Sequence, residues 1–315
     1  MNKERKGIVK KILLHTFFVV FLLLATGCGN SNEKKGNAIK IGYLPITHAL
    51  PIFELADEGD KEFEIELVKF SGWSDLTDAL NTGRIDGAVM LIELAMKSKE
   101  QGIDISAVAL GHKDGNVIVV GNGIFSANDL KGKTFAIPHR SSSHNILFHD
   151  MIEKNGLSEK DITVTELAPS EMPSALANGQ IAGYCVAEPF GSVAVTGGYG
   201  KVLYTSKDLW EDSLCCSLVF KNSFLDKNSK LAENLVEKYY LAGEKLNNKT
   251  EAKKIAQKYL GQEETVLEQS LEWIDYSNLK ITKEAYSVLC KKVKAYGVSD
   301  NPPDYKEFIY SDNED

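Results

Sequence analysis

The octapeptide Pro-His-Arg-Ser-Ser-Ser-His-Asn at residues 138–145 is the densest group of side chains suited to ligand chemistry. It follows a strand-like apolar run and precedes a helix-like pattern at 145–155. Free N–H groups at a helix start favour an anion. Serine hydroxyls and Arg140 add donors, and each hydrogen bond to a charged group contributes about 1.5–3 kcal/mol. The segment therefore predicts a small-anion site, with simple N-capping by Ser143 and a solvated Arg140 as the alternative.

Other polar and aromatic side chains follow further predicted strands. In an open parallel sheet, ligands bind beyond the carboxyl ends of the strands, so these side chains are expected to face one cleft. The predicted ligand-binding residues are Thr47, His48, Ser71, Trp73, Glu93, His112, Arg140, Ser141, Ser142, His144, Glu188 and Phe190.

The histidines raise the alternative of a metal site. His144 and His149 are five positions apart, so one helix face does not present both. A second arrangement brings His48, Glu93, His112 and Cys185 together across the cleft. We predict no bound metal or other cofactor, with His48 and His144 as hydrogen-bonding residues of the pocket, and retain metal capture as an alternative function.

Cysteine usage is sparse and shows no CxxC or zinc-finger spacing. Cys185, Cys215, Cys216 and Cys290 are predicted to be buried free thiols, with a Cys185–Cys215 contact near the cleft as a second reading. Cys215 and Cys216 fall in an apparent strand, where neighbouring side chains point to opposite faces.

Composition excludes several functional classes. The formal net charge of −8 argues against a nucleic-acid partner. No GxSxG, Walker or GxGxxG motif occurs. We therefore predict a protein that is not an enzyme.

An internal repeat indicates how the site is built. Residues 74–87 recur at 170–183, with matching serine, alanine, leucine, glycine and isoleucine positions. The same offset of 96 places 39–42 on 135–138 and His48 on His144. Each copy is typical of a helix, a glycine stop and a strand. A period of this size is that of a small domain, so we predict two related, facing α/β lobes.

The chain order then predicts two crossings between the lobes. Strands alternating with helices imply a mostly parallel sheet in each lobe. Residues 38–119 are predicted to form the first part of lobe 1, 120–216 lobe 2, and 217–315 the return strand and C-terminal helices of lobe 1. Two crossings make a two-stranded hinge, which suits closure around a ligand.

The N-terminus is predicted to be a targeting segment. A basic head precedes an apolar run at 12–25 that is shorter than the roughly 20 residues of a membrane span, so residues 1–27 are typical of a signal peptide. It ends Leu-Ala-Thr-Gly-Cys, which resembles the bacterial lipobox with Cys28 as the lipidated residue. Residues 28–37 are expected to be a flexible linker between lipid and domain.

Several segments together resemble one family. The lipobox, IGYLPITHALP, SDLTDALNTGRIDGAV, PHRSSSHNILFHDMIEKNGL, PSEMPSALANGQIAGYCVAEPF and CCSLVFKN are similar to the nitrate/sulfonate/bicarbonate/taurine class of ABC-importer substrate-binding proteins. That class also includes binding proteins for a thiamine-pyrimidine precursor. The likeness covers about 39–222. Where the class often has Gly-Ser-Ser, this chain has Arg140-Ser141-Ser142.

The resemblance implies a type II periplasmic-binding-protein fold and ligand contacts at Thr47, His48, Trp73, 141–144 and Glu188. It also implies a lipid-anchored monomer outside the cytoplasm that delivers a small anion to a permease with a cytoplasmic ATPase. A heterocycle such as a thiamine-pyrimidine precursor is the alternative cargo. An enzyme on the same fold, using His48, His144 and Cys215, is the reading least consistent with an anchored protein.

Overall fold

The structure, a computed structural model, describes residues 37–310. The predicted signal peptide, Cys28 and nearly all of the linker lie outside the described residues. The strands are β1 Asn37–Tyr43, β2 Phe63–Lys69, β3 Gly87–Leu91, β4 Ile105–Leu110, β5 Lys113–Asp114, β6 Asn116–Gly121, β7 Thr134–Ile137, β8 Thr163–Glu166, β9 Gly183–Ala187, β10 Gly200–Thr205, β11 Cys216–Lys221 and β12 Ile274–Asp275. The helices are α1 Leu50–Glu58, α2 Trp73–Asn81, α3 Ile92–Glu100, α4 Ser143–Lys154, α5 Met172–Ala177, α6 Phe190–Thr196, α7 Ser206–Leu209, α8 Asn222–Lys227, α9 Ser229–Leu246, α10 Lys249–Leu260, α11 Glu264–Ser270, α12 Lys283–Ala295 and α13 Tyr305–Phe308.

Two five-stranded sheets carry the fold. The first has the order β2-β1-β3-β11-β4, and the second has β10-β6-β9-β7-β8. In each, three strands run parallel (β2-β1-β3 and β8-β7-β9), and an antiparallel strand, β11 or β6, follows beside them. Read from opposite ends, the two sheets therefore have the same plan, which agrees with the internal repeat.

The register of the strands refines the repeat. Gly87 pairs with Ile41 in the first sheet, and Gly183 pairs with Phe135 in the second. Gly87 and Gly183 are 96 positions apart, but their partners are 94 apart. The first strands of the two halves are thus displaced by two residues from the predicted alignment. A displacement of two keeps the same side chains on the same face of the sheet.

The central strands explain why the sequence folds this way. All five positions of β3 and of β9 are buried, as expected for strands covered on both faces. Helix α2 ends just before a turn containing Gly83, whose φ of 74° a β-carbon would disfavour. Gly179 occupies the same place in the second copy with φ 68°. The repeated glycines therefore reverse the chain from helix into strand in both halves.

The chain passes from the first sheet to the second before Asn116, because β6 pairs with β9 throughout. The sequence prediction kept residues up to 119 with the first lobe, a few residues later than the pairing places this crossing. The return crossing ends at β11, which lies between β3 and β4.

The C-terminal helices cover the first sheet and also reach the second. Helices α9 and α10 pack on α1, and α13 packs on β4. Helix α11 packs instead on α6, beside the second sheet. Lys292 of α12 forms an ion pair with Asp150 of α4 at 2.6 Å, and Tyr296 donates a hydrogen bond to the same carboxylate. The helical tail therefore ties the two halves together.

Gly87 gives a test of the central packing. A β-carbon at Gly87 would lie 2.5 Å from the Phe220 ring and 2.8 Å from the carbonyl oxygen of Val219. We expect Gly87→Ala to lower the free energy of unfolding by about 1–3 kcal/mol, because the paired strand must move. Urea unfolding measures this change.

The control is Gly72→Ser. A β-carbon at Gly72 meets nothing within 4 Å, and serine is a good N-cap for α2. A Gly87→Ala protein as stable as the Gly72→Ser protein would contradict the close approach of β3 and β11.

Candidate metal and ligand site

Four ligating side chains meet where the chain passes between the sheets. His48 lies in the 3-10 turn after β1, His112 lies between β4 and β5, and Cys215 and Cys216 lie at the start of β11. All four are fully buried. Their nitrogen and sulfur donor atoms lie within 4.8 Å of one another. We call these four residues the His2Cys2 group.

The contacts within the His2Cys2 group are close. Nδ1 of His48 is 3.4 Å from Sγ of Cys216 and 3.7 Å from Sγ of Cys215. The two sulfur atoms are 3.9 Å apart, so the cysteines are not joined by a disulfide. The imidazole rings of His48 and His112 stack with centroids 3.4 Å apart.

Backbone groups hold the two rings in place. Nε2 of His48 lies 3.2 Å from the carbonyl oxygen of Gly115, which accepts a hydrogen bond when that nitrogen carries the proton. In that tautomer the lone pair of Nδ1 faces the sulfurs. The backbone N–H of Cys216 donates to Nε2 of His112 at 3.4 Å, and Nδ1 of His112 has no hydrogen-bond partner.

Burial and close contacts shift the pKa values of His48 and of both cysteines. Burial, with the neighbouring His112, lowers the pKa of His48 to about 4. Burial alone would raise the pKa of Cys215, but Cys216 and the two imidazoles outweigh it and hold that pKa well below its usual range. The pKa of Cys216 is raised by burial and by Cys215. The pKa values of the two cysteines are therefore displaced in opposite directions.

Glu93 and His144 extend the site. Both are buried, and neither ring nitrogen of His144 makes a hydrogen bond. Burial raises the pKa of Glu93 well above its usual range, and burial lowers the pKa of His144. Cys215 acts electrostatically on both groups. Glu93 belongs to the first turn of α3, whereas His144 comes from α4 beside the second sheet.

No fixed cation accompanies these groups. Among residues 37–310, no lysine or arginine is buried. Arg140 is exposed, and its guanidinium donates to the carbonyl oxygen of Val164 at 3.1 Å. The structure therefore places the predicted anion-binding arginine at the surface.

The predicted serine loop has a local structural role. Ser142, rather than Ser143, is the N-cap of α4, and its Oγ accepts from the N–H of Asn145 at 3.2 Å. Ser141 donates its N–H to Nδ1 of His139 at 2.9 Å. The capping alternative thus describes these contacts, while the His144 side chain, two positions after the N-cap, is buried.

Thr47 and Glu188 join the two halves. The N–H and Oγ1 of Thr47 donate to the carbonyl oxygen of Glu188 at 2.8 and 3.0 Å. The Glu188 carboxylate accepts from the N–H of Ser192 at 2.9 Å, and burial raises its pKa to about 7. These residues link loops of the two sheets next to His48.

The remaining predicted residues lie elsewhere. Ser71 and Phe190 line a cleft of about 430 Å³ with loop residues from both sheets. Trp73 is the first residue of α2. Its side chain is buried, and its ring nitrogen has no hydrogen-bond partner. Trp73 therefore contributes to the core rather than to an exposed aromatic surface.

The cysteine prediction needs one correction. The expectation that Cys215 and Cys216 point to opposite faces is wrong, because β11 begins at Cys216 and Cys215 precedes the strand, where side chains do not alternate. Cys185 is buried and lies outside the His2Cys2 group, so the metal arrangement built on Cys185 is replaced by one built on the cysteine pair. The sequence pattern that could have indicated the His2Cys2 group is the adjacent cysteine pair together with the histidines that follow predicted strands.

Comparison with known proteins agrees with this fold. Residues 32–260 match the model of the NMT1-like family, and the chain belongs to that family. A solved structure, described as the zinc-bound ligand binding component of an ABC-type import system from Staphylococcus aureus, is 40% identical with a TM-score of 0.84. The match covers 87% of this chain and 96% of that one. The predicted two-lobed periplasmic-binding fold is confirmed.

Curated relatives are more distant. The nitrate import ATP-binding protein NrtC of Synechocystis is 28% identical over 58% of this chain, which spans only 30% of that protein. The putative aliphatic sulfonates-binding protein of Bacillus subtilis is 28% identical, with 64% of each chain covered.

Glu188 gives a test of this buried junction. Its pKa is raised by burial to about 7, so between about pH 4.5 and 7 the folded protein keeps a proton that the unfolded chain has lost. The free energy of unfolding should fall across this window by about 3 kcal/mol and then level off. Glu188→Gln removes this loss, because the amide does not ionise.

Urea unfolding of both proteins at a series of pH values measures the difference, which should widen in favour of the variant as pH rises. Two stability curves that differ by a constant amount from pH 4.5 to 8 would reflect only altered hydrogen bonding. That result would contradict the buried, protonated carboxyl group.

Proposed function

We propose that the chain is the extracytoplasmic solute-binding component of an ABC importer. The observation that carries this proposal is the buried site between two sheets of the same plan, in a member of the NMT1-like family. The 40%-identical structure is described as a ligand binding component of an import system. A membrane permease and its ATPase would be the partners.

Closure around a solute is supported by contacts between the halves. Thr47 reaches Glu188 through two hydrogen bonds, and Lys292 reaches Asp150 through an ion pair. Two chain crossings connect the sheets, which suits a hinge motion. Opening this hinge would expose the buried side chains to solvent and admit the solute.

Binding without turnover fits the site better than catalysis. Several relatives are named as binding or import proteins. The buried histidines and cysteines present a compact set of ligand atoms, and the relatives named for binding and import favour holding a solute over the enzyme alternative.

A small oxyanion is one candidate solute. Relatives are named for nitrate and aliphatic sulfonates, and the first turn of α4 supplies backbone donors at Ser143 and His144. A heterocycle has less support, because Trp73 is packed into the core.

A metal ion is the second candidate, and a specific observation favours it. The His2Cys2 group presents nitrogen and sulfur donors within 4.8 Å of one another. A zinc-bound relative of the same fold adds support. The metal-capture alternative drawn from the sequence is therefore kept.

A solute panel tests the proposal. Nitrate, bicarbonate, alkanesulfonates, thiamine precursors and Zn²⁺ are added one at a time to the full chain in mild detergent, and thermal unfolding and X-ray scattering are recorded. We expect one class to raise Tm, since solute at 100 times Kd adds about 2.7 kcal/mol, and to reduce the radius of gyration. If no class changes either quantity, or if turnover of a solute is detected, the binding-protein proposal fails.

We further propose attachment of the chain to the outer face of the membrane through lipid on Cys28, which lies outside the described residues. Among residues 37–310, no helix has the length and hydropathy needed to span a bilayer. Two or more acyl chains anchor stably where one does not.

Cys28→Ser should abolish the lipid, because the thiol is the acylated atom, and should move the protein out of the detergent phase in a Triton X-114 partition. Cys290→Ser, which changes a half-buried thiol on α12, serves as the control and should stay in that phase. Identical partitioning of the two variants would rule out anchoring at Cys28.

A further inference from the structure

Buried polar atoms without protein partners are the starting observation. His112 Nδ1 and both ring nitrogens of His144 make no hydrogen bond. Burying a polar group without a partner is costly, and native proteins keep few such groups. Three such imidazole nitrogens on two buried histidines indicate that a ligand supplies the missing interactions.

We propose that His48, His112, Cys215 and Cys216 ligate a thiophilic d¹⁰ metal ion, Zn²⁺ or Cu⁺, and that this ion is the captured solute. The inference rests on the proposed binding function and names its cargo. Two imidazoles and two thiolates are a set that Zn²⁺ binds tetrahedrally. Thiolate also selects Cu⁺, whereas Mg²⁺ and Ca²⁺ prefer oxygen.

The surroundings orient the ligands. The carbonyl oxygen of Gly115 lies 3.2 Å from Nε2 of His48, which leaves Nδ1 facing the sulfurs. Such a backbone partner on the far nitrogen is typical of metal-ligating histidines. A β-carbon at Gly111 would lie 2.6 Å from the carbonyl oxygen of His48, so the loop carrying His112 packs directly against the loop carrying His48.

The charge of the site favours a cation over an oxyanion. The site gathers sulfur and imidazole ligand atoms, and no lysine or arginine is buried in residues 37–310. An anion placed here would be buried without a fixed positive partner. A divalent or monovalent metal ion instead neutralises the thiolates that it binds.

His144 connects the metal to closure. The His2Cys2 residues precede, follow or begin strands of the first sheet, whereas His144 lies on α4 beside the second sheet. Its two ring nitrogens are buried and unpartnered. If His144 meets the bound ion from the opposite half when the two halves close, loading of the ion favours the closed form.

The first experiment measures metal binding. The full chain, without a histidine tag and kept reduced in mild detergent, is stripped with chelator. Separate samples are loaded with Zn²⁺ or with Cu⁺, dialysed and analysed for metal. We expect one Zn²⁺ per chain, and Co²⁺ loading should give a thiolate-to-cobalt charge-transfer band. Cys215→Ser and Cys216→Ser should weaken affinity by at least the roughly 10–100-fold typical of losing even an outer-shell partner.

Cys290→Ser is the control, because Cys290 is a half-buried free cysteine on α12 and outside the His2Cys2 group. It should retain the metal and the cobalt band. Thermal unfolding of each metal-free variant shows that it is folded. Failure of the reduced wild-type chain to retain Zn²⁺ or Cu⁺, or equal retention by the cysteine variants, would overturn the proposal.

A second experiment separates this inference from the proposed function. His144→Ala should still take up one metal ion but lose the metal-induced decrease in radius of gyration. Binding of nitrate or a sulfonate by metal-free protein, unchanged in Cys215→Ser, would overturn the metal inference and leave the solute-binding function standing. Stoichiometric metal without any closure in the wild type would instead count against the solute-binding function.

Discussion

The dominant physical constraint is the burial of six ionisable side chains at the junction of the two sheets. His48, Glu93, His112, His144 and the cysteine pair are removed from water, yet several of their polar atoms have no protein partner. A folded chain bears such a cost where a bound group compensates for it. At this junction the side chains available for binding lower the stability of the folded chain until a bound group supplies their missing interactions.

The duplicated plan of the sheets creates that junction. The two sheets share one strand plan, and loops far apart in sequence meet between them. The N–H and hydroxyl of Thr47 both donate to the carbonyl oxygen of Glu188, which joins a loop of each half. Helix α12 adds the Lys292–Asp150 ion pair at the periphery. A few polar contacts thus connect the two halves around the buried histidines and cysteines.

The family and the site give complementary information. Membership in the NMT1-like family and the two-lobed fold define a scaffold on which solute chemistry varies. On this scaffold the chain carries cysteine and imidazole side chains where an oxyanion site needs fixed positive charge. Relatives named for nitrate or sulfonates therefore share the architecture, while the side chains at the strand ends decide the solute.

The sequence by itself determined the two-lobed architecture, because apolar runs, glycine stops and a repeat at 96 positions are local patterns that survive without coordinates. It also marked His48, His112, His144 and Glu93 as strand-end or helix-start residues. Only the tertiary structure decided that Cys215 and Cys216 join them and that Arg140 does not. The reason is that side-chain direction at a strand end depends on where the strand begins and on what packs across the junction, neither of which is encoded in local spacing.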